Sequence, residues 1–217
     1  MKKEEYSLIT KKYAKNIWRK YIKCVEEYNL LAKGDIVFIY AKGLDKSNEH
    51  LCQMLLTMSS EFKMYDIEVI VSDDFTMMDK HNCNKLVLTE SFESIADNTL
   101  WEMLYNGRIS SYLPKEKKDG YTIIRPLYLI HKEDIMKYYE ECGYDVTETF
   151  LGEDDKQKEL KYVRSIIDRL SADNEAVGNN VFGSVVNVDA DMLPGYWINE
   201  KRHEFMEDYN AIKTSCQ

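Results

Sequence analysis

Lys42-Gly43-Leu44-Asp45-Lys46-Ser47 is the stretch of this chain whose residue types and spacing could hold a charged ligand. It follows an apolar run, Ile36-Val37-Phe38-Ile39-Tyr40, and precedes Leu51, Leu55, Met58 and Phe62 at helical spacing. A buried strand that turns through a Gly-containing loop into a helix aims the helix's first free N–H groups at the loop, which makes an anion site. Lys42 or Lys46 would add positive charge and Ser47 a hydroxyl, so the expected ligand is a nucleotide phosphate, held by Lys42, Gly43, Asp45, Lys46 and Ser47. The loop has one glycine, however, and Leu44 stands where the backbone must approach a phosphate closely. One Gly and one Ser make a weak signature beside a full glycine-rich phosphate loop. An ordinary turn capped by Ser47 competes with it.

Glu90, Glu93 and Asp97 cluster where another helix starts. Such acids could hold magnesium or act as a general base, or simply favour a helix N-terminus by a few tenths to about 1 kcal/mol each. His50, His81, His131 and His203 share no ligand spacing. Cys24, Cys52, Cys83, Cys142 and Cys216 are scattered without a Cys-x-x-Cys pair, which suggests neither a disulfide framework nor a metal knuckle. A reducing cytoplasm is the default setting for such a chain.

These residues need a scaffold, and the periodicities supply one. Tyr6, Ile9, Tyr13, Ile17, Tyr21, Cys24, Val25 and Tyr28 mark one face of a long amphipathic helix within residues 1–33. Strands are expected at 36–41, 67–71, 85–88 and 122–125, the last stopped by Pro126. Helices are expected after the loop at 42–47, over 93–105, from His131 to Cys142, over 156–171 and over 174–188, with a loop at 106–121. Strands alternating with helices predict an α/β fold, a Rossmann-like parallel sheet sandwiched by helices. An N-terminal helix (1–33), a core (34–150) and a C-terminal helical extension with tail (151–217) make up the expected organisation. No apolar run reaches the roughly 18–20 residues of a membrane span, and Met1–Glu5 lacks the apolar stretch of a secretory signal. The net charge of −9 conceals nine Lys/Arg against four Glu in residues 1–33. Only that segment offers a basic footprint for nucleic acid, with Tyr6, Tyr13, Trp18, Tyr21 and Tyr28 as stacking candidates. Core packing and a solvated helix face are the plainer readings of the same residues.

The order of these motifs resembles the PP-loop ATP pyrophosphatase superfamily, and within it the tRNA 2-thiocytidine synthetase (TtcA) family. The resemblance rests on Glu27–Asp35, on Asn84–Leu88 with Thr89–Tyr105 and Asn106-Gly107-Arg108, on Ile124-Arg125-Pro126-Leu127 with Glu133-Asp134-Ile135, and on Asp155–Lys158. It implies a Rossmann-like fold, ATP with Mg2+ at the first loop, a tRNA substrate and an iron–sulfur cluster on three cysteines. It also puts Glu93, Arg108 and Arg125 beside the nucleotide or at a tRNA edge, although Arg125 could equally tie a strand end to an acidic neighbour.

Departures fall on the chemistry. Laid on the family's SGGKDS loop, this chain keeps Gly43 and Ser47; its GHHxDD block reads Thr89-Glu90-Ser91-Phe92-Glu93-Ser94. The segment that should carry Cys-x-x-Cys is shortened to residues 72–84, so no iron–sulfur cluster is expected. The leading expectation is a divergent, catalytically impaired relative that retains weak adenine-nucleotide or tRNA binding, the tRNA meeting the basic N-terminal helix. Two alternatives stand beside it. One is an active ATP-dependent tRNA-modifying enzyme with a remodelled loop and an external sulfur donor. The other is a non-catalytic subunit that meets a second copy or another protein through the N-terminal helix or the tail around Trp197.

Overall fold

The computed structural model describes residues 2–41, 46–118, 120–144, 155–189, 192–198 and 200–204, and it divides into two units, Met1–Phe182 and Gly183–Gln217. The first unit is built on a five-stranded sheet: β1 (Ile36–Tyr40), β2 (Glu68–Ser72), β3 (Lys85–Val87), β4 (Lys115–Lys118) and β5 (Tyr121–Ile124), in the order β2-β1-β3-β5-β4. The first four of that order run parallel, with Val37 opposite both Val69 and Lys85 and with Lys85 opposite Thr122, while β4 closes the edge antiparallel to β5. The expected α/β architecture is the one observed.

Continuous apolar sequence in β1 reflects a strand covered on both faces. Val37 and Ile39 enter the main core with Leu51, Leu55, Ile95 and Ile135, whereas Phe38 points to a smaller cluster with Met78 and Cys83. The helices of this unit are α1 (Lys2–Lys11), α2 (Arg19–Glu27), α3 (Lys46–Glu61), α4 (Thr76–Lys80), α5 (Phe92–Asn106), α6 (Lys132–Glu141) and α7 (Asp155–Asp173), and α8 spans Val177–Ser184. None of the described helices is long and apolar enough to cross a membrane.

The N-terminal segment is not one continuous α-helix, because a π-helical stretch, Ala14–Trp18, separates α1 from α2. Ile9, Tyr13, Ile17, Tyr21 and Val25 are spaced by four, and each step of four overruns the α-helical turn by about 40°. The wider π turn takes up that drift, and all five side chains are buried.

Residues 115–118, expected as loop, form β4. Their Lys-Glu-Lys-Lys sequence hides the strand, since an edge strand needs no apolar alternation and lysines there discourage pairing with another chain.

A buried ion pair fixes the opposite ends of β1 and β3. Lys85 Nζ lies 2.5 Å from Asp35 Oδ2 and donates to the Leu30 carbonyl at 2.5 Å. Asp35 also accepts from the Ala32 N–H at 2.6 Å and from Asn84 Nδ2 at 2.8 Å. Burial opposes ionisation of Asp35, but the hydrogen bonds from Lys85, Ala32 and Asn84 outweigh it and hold the carboxyl below its ordinary range.

Within the second unit the apolar tail makes a hairpin, β6 (Gly195–Ile198) paired antiparallel with β7 (Lys201–Glu204). Tyr196 stacks on His203 at 5.0 Å, and Trp197 is exposed.

Candidate functional site

The strand order reverses at β1, which is flanked by β2 on one side and β3 on the other. In open α/β sheets the crevice beyond the C-terminal ends of strands at such a switch point is where ligands bind. Here that crevice is bounded by the start of α3, by Thr89–Ser91 after β3 and by Arg125–His131 after β5.

Three sets of side-chain bonds join these segments. Asn48, in the first turn of α3, donates from Nδ2 to the Thr89 carbonyl at 2.9 Å. Arg125 is buried, its side chain 3% exposed, with Nη1 2.8 Å from Glu116 Oε1 and Nε 3.3 Å from Glu90 Oε2. The Glu116 contact is an aligned hydrogen bond, whereas Nε and the facing Glu90 oxygen are close without being aligned for one. Arg125 Nη1 also donates to the Leu113 carbonyl at 2.6 Å, and the guanidinium sits 4.9 Å over the Tyr112 ring. Of the two readings of Arg125, the tie between a strand end and acidic neighbours is the geometry found.

Glu93 forms the third tie. One oxygen is 2.8 Å from His131 Nδ1, and the other accepts the Lys132 N–H at 2.6 Å, so a carboxylate from α5 caps α6. Burial opposes its ionisation, yet those hydrogen bonds hold Glu93 below the usual carboxylate range. One turn along α5, Asp97 meets Arg164 of α7: Nε donates to Oδ2 at 3.1 Å, and Nη2 lies 2.7 Å from Oδ1 without hydrogen-bond alignment. Arg164 Nη2 also donates to the Glu93 carbonyl at 2.9 Å.

Burial pushes Asp97 up to about 6 despite Arg164, with Asp168 and Glu93 adding repulsion. An acid whose pKa is raised by folding contributes stability that is present below its unfolded value and lost as pH rises through the folded one. Asp97 is therefore expected to lower the melting temperature progressively from about pH 4 to pH 6. Relative to the parent, Asp97→Asn should flatten that part of a melting profile; an unchanged slope would contradict the assignment. Glu93 works in the opposite sense, with its contribution lost as pH falls through its depressed pKa.

Of the expected loop residues, Lys42, Gly43 and Asp45 lie outside the described residues, Lys46 is exposed at the start of α3, and Ser47 is buried beside it. Arg108 is not brought to the crevice. It follows Gly107, the left-handed residue that ends α5, and the helical rise of about 1.5 Å per residue from Glu93 to Asn106 sets it roughly 20 Å from Glu93 along the axis. His131, Arg164 and Glu116 were missed. Each acts through a partner between 9 and 71 positions away, and the only local signal was His131 standing just before a helix with acids in its first turn.

Of the five stacking candidates, Tyr13 and Tyr21 are core, while Tyr6, Trp18 and Tyr28 are half-buried against it. Tyr21 is buried with its hydroxyl on Ser59 at 2.7 Å, and Tyr13 packs edge-on to Tyr138 at 5.6 Å. Two concavities lie elsewhere: a shallow groove of about 780 Å³ lined by Trp18, Arg19, Ile22, Lys23 and Met64, and a hollow of about 480 Å³ lined by Lys117, Lys118 and Tyr121 at the start of β5.

Cys24, Cys52 and Cys83 are buried, and Cys142 is partly so. Burial pushes the Cys24 thiol up to about 12 and raises the other three as well, which disfavours the thiolate that a metal requires. Among the described residues no three His, Cys, Asp or Glu side chains converge as a metal-holding group, so the four described cysteines do not as they stand form a cluster's ligand set. Cys216 lies outside the described residues.

No family model matches the chain. It is 28% identical over 131 residues to tRNA-cytidine(32) 2-sulfurtransferase 2 of Francisella tularensis subsp. tularensis, covering 59% of this chain and 51% of that protein. It is also 28% identical over 111 residues to tRNA-cytidine(32) 2-sulfurtransferase 1 of Francisella philomiragia, covering 50% of this chain and 43% of that protein. The chain thus spans about half the length of the curated relatives it matches. Among solved structures, the U34-tRNA thiolase NcsA from Methanococcus maripaludis, determined with its 4Fe–4S cluster, superposes with a TM-score of 0.53 over 80% of each chain at 9% identity, which is a likeness of fold.

That likeness corrects one expectation. The shortened 72–84 segment leads one to expect no iron–sulfur cluster, but a thiolase of this fold carries one. A missing Cys-x-x-Cys in one segment is not a ground for exclusion, because cluster ligands converge from segments distant in sequence. In sequence the chain is similar to the TtcA-type tRNA-cytidine(32) 2-sulfurtransferases, and in its mostly parallel α/β fold it is like a tRNA thiolase.

Proposed function

We propose that this relative of the tRNA cytidine thiolation enzymes binds an adenine nucleotide weakly at the β1/β3 crevice, engages tRNA and is impaired in catalysis. The observation that carries the reading is the state of the cations at this end of the sheet: Arg125 faces Glu90 and Glu116, and Arg164 faces Asp97. Transfer at a phosphate needs cations aimed at the charge that develops there. Cations already matched by carboxylates contribute little to it, and the glutamates of the rim repel an incoming triphosphate. The start of α3, with Lys46 and the buried Ser47, still offers a helix N-terminus for a phosphate.

For tRNA, the N-terminal segment contributes exposed cations at four-residue spacing, Lys11, Lys15 and Arg19. Lys12 is engaged with Glu141 at 2.6 Å. In this reading residues 1–33 are a basic attachment to a nucleotide-binding core at 34–150, residues 151–217 are a helical extension, and the protein works in the cytoplasm, where tRNA is modified.

Thermal shift with ATP, AMP and tRNA tests the reading, because bound ligand stabilises by RT ln(1 + [L]/Kd). A small rise at millimolar ATP is expected, with no pyrophosphate released when tRNA is added. Release that depends on tRNA would establish the active-enzyme alternative instead. Changing Lys11, Lys12 and Arg19 to Glu should weaken a low-salt tRNA gel shift. Neither a thermal shift nor a gel shift in the parent would leave the interaction-subunit alternative.

A further inference from the structure

The groove of about 780 Å³ beside α2 is apolar in its middle and carries charge of opposite sign toward its two ends. Trp18, Ile22 and Met64 line the middle, with Arg19 and Lys23 in the first half of α2 and Glu26 and Glu27 in the second. Phe62 extends the apolar part, its ring centred 6.0 Å from that of Trp18. Phe62 and Met64 are 47% and 41% exposed, and Trp18 and Ile22 are half-buried. A contiguous exposed apolar patch with a polar rim is the mark of a contact surface.

Arg19 and Glu26 are two helical turns apart to within about 20°, so they share the side of α2 on which Ile22 lies between them. Along the axis about 10 Å separates them, too far for them to pair with each other. Neither makes an ion pair among the described residues. Lys23 and Glu27 do pair within the helix, at 3.7 Å in an exposed contact. The unmatched charges of the groove are therefore one cation at the start of α2 and one anion near its end.

We infer that a second copy of this chain covers the groove, with the two α2 helices antiparallel across a two-fold axis that passes beside Ile22 and Lys23. Such an axis brings Arg19 of each copy to Glu26 of the other and sets Ile22 beside its own counterpart, while Trp18, Phe62 and Met64 close over the centre. A contact between identical patches must be self-complementary. A helix face with a cation at one end, an anion at the other and apolar groups between meets that condition only when reversed, because a parallel pairing would oppose like charges. Nucleic acid and an anionic membrane fit poorly, since the four charges lining the groove cancel. A dimer of this kind is independent of nucleotide binding, and it takes up Arg19 while leaving Lys11 and Lys15 exposed.

Sedimentation velocity on the full chain tests the arrangement, with a shift from monomer to dimer expected over about 1–100 μM. Arg19→Glu and Glu26→Arg should each raise the dimer Kd by about tenfold or more, because each sets like charges against each other twice across the axis. The double variant Arg19→Glu/Glu26→Arg is expected to return to the parent's Kd. Within one chain the exchanged charges remain two turns apart, so this rescue can only pass between copies. Both positions are exposed, and melting temperatures measured alongside should stay close to the parent's. Met64→Glu, which would bury a charge in the middle of the contact, should also leave the chain monomeric. A parent that is monomeric throughout the range would overturn the second copy as occupant, and a monomer in which Met64→Glu abolishes tRNA binding would make RNA the occupant instead. A dimer indifferent to all three single changes would place the contact elsewhere on the molecule. Failure of the double variant to recover what the single variants lose would overturn the antiparallel pairing.

Discussion

Asp35→Ala is expected to cost about 3–5 kcal/mol of folding stability, because it removes one partner of a buried ion pair and leaves the other charge in place. Lys85 would keep its contact with the Leu30 carbonyl but lose the only carboxylate within 4 Å of it among the described residues. The Ala32 N–H and Asn84 Nδ2 would lose their acceptor at the same time, but both residues are exposed and water can replace it, so most of the loss comes from Lys85. Equilibrium urea unfolding measures the difference. The companion double change Asp35→Leu/Lys85→Met removes both charges and should recover much of the loss, since an apolar pair of similar volume is often tolerated where a broken ion pair is not. A single-variant loss below about 1 kcal/mol would show that the pair is hydrated and unimportant.

Arg125→Ala should have an effect of similar size, about 3–4 kcal/mol, for a related reason. It withdraws the guanidinium that faces Glu90, bonds Glu116 and the Leu113 carbonyl, and sits over Tyr112. Glu116 belongs to β4, so amide exchange at residues 115–118 should accelerate beyond what the global loss explains. Arg125→Lys is expected to restore only part of the stability, because one ammonium cannot reproduce a planar fork that serves several acceptors. Full recovery with lysine would reduce the clamp to simple charge neutralisation. Unchanged exchange along β4 would detach that strand from Arg125 altogether.

The difference between the two ends of the sheet also explains what the sequence revealed. Ile36-Val37-Phe38-Ile39-Tyr40 announced β1 because burial on both faces requires a continuous apolar run, and Leu51, Leu55 and Met58 announced α3 because one helix side meets the core. The β4 strand was illegible because its residues answer to solvent and to a main-chain partner, neither of which demands an apolar pattern. The π-helical stretch was hidden for another reason: spacing by four is compatible with an α-helix over two turns, and its drift matters only over four.

In the crevice, positions were easier to read than roles. Glu93 and Arg125 stood out by their place in the motifs, but only the fold reveals that one caps α6 through the Lys132 N–H and the other is neutralised by Glu90 and Glu116. Arg164 gave no sign at all, since a lone arginine on an amphipathic helix carries no mark of the aspartate it meets 67 positions away.

The buried thiols have a practical consequence. Cys24 has its Sγ 3.6 Å from the Arg125 carbonyl, Cys52 lies inside α3, and Cys83 sits beneath β1 with Phe38 and Met78. Protonated and shielded, they are silent toward alkylating reagents as long as their surroundings stay closed. Each becomes a clock for a different part of the molecule: its modification rate counts how often the crevice clamp, the first helix after β1 or the α4 side of the sheet comes apart. The chain therefore carries its own site-resolved gauge of local opening, with no label to be engineered.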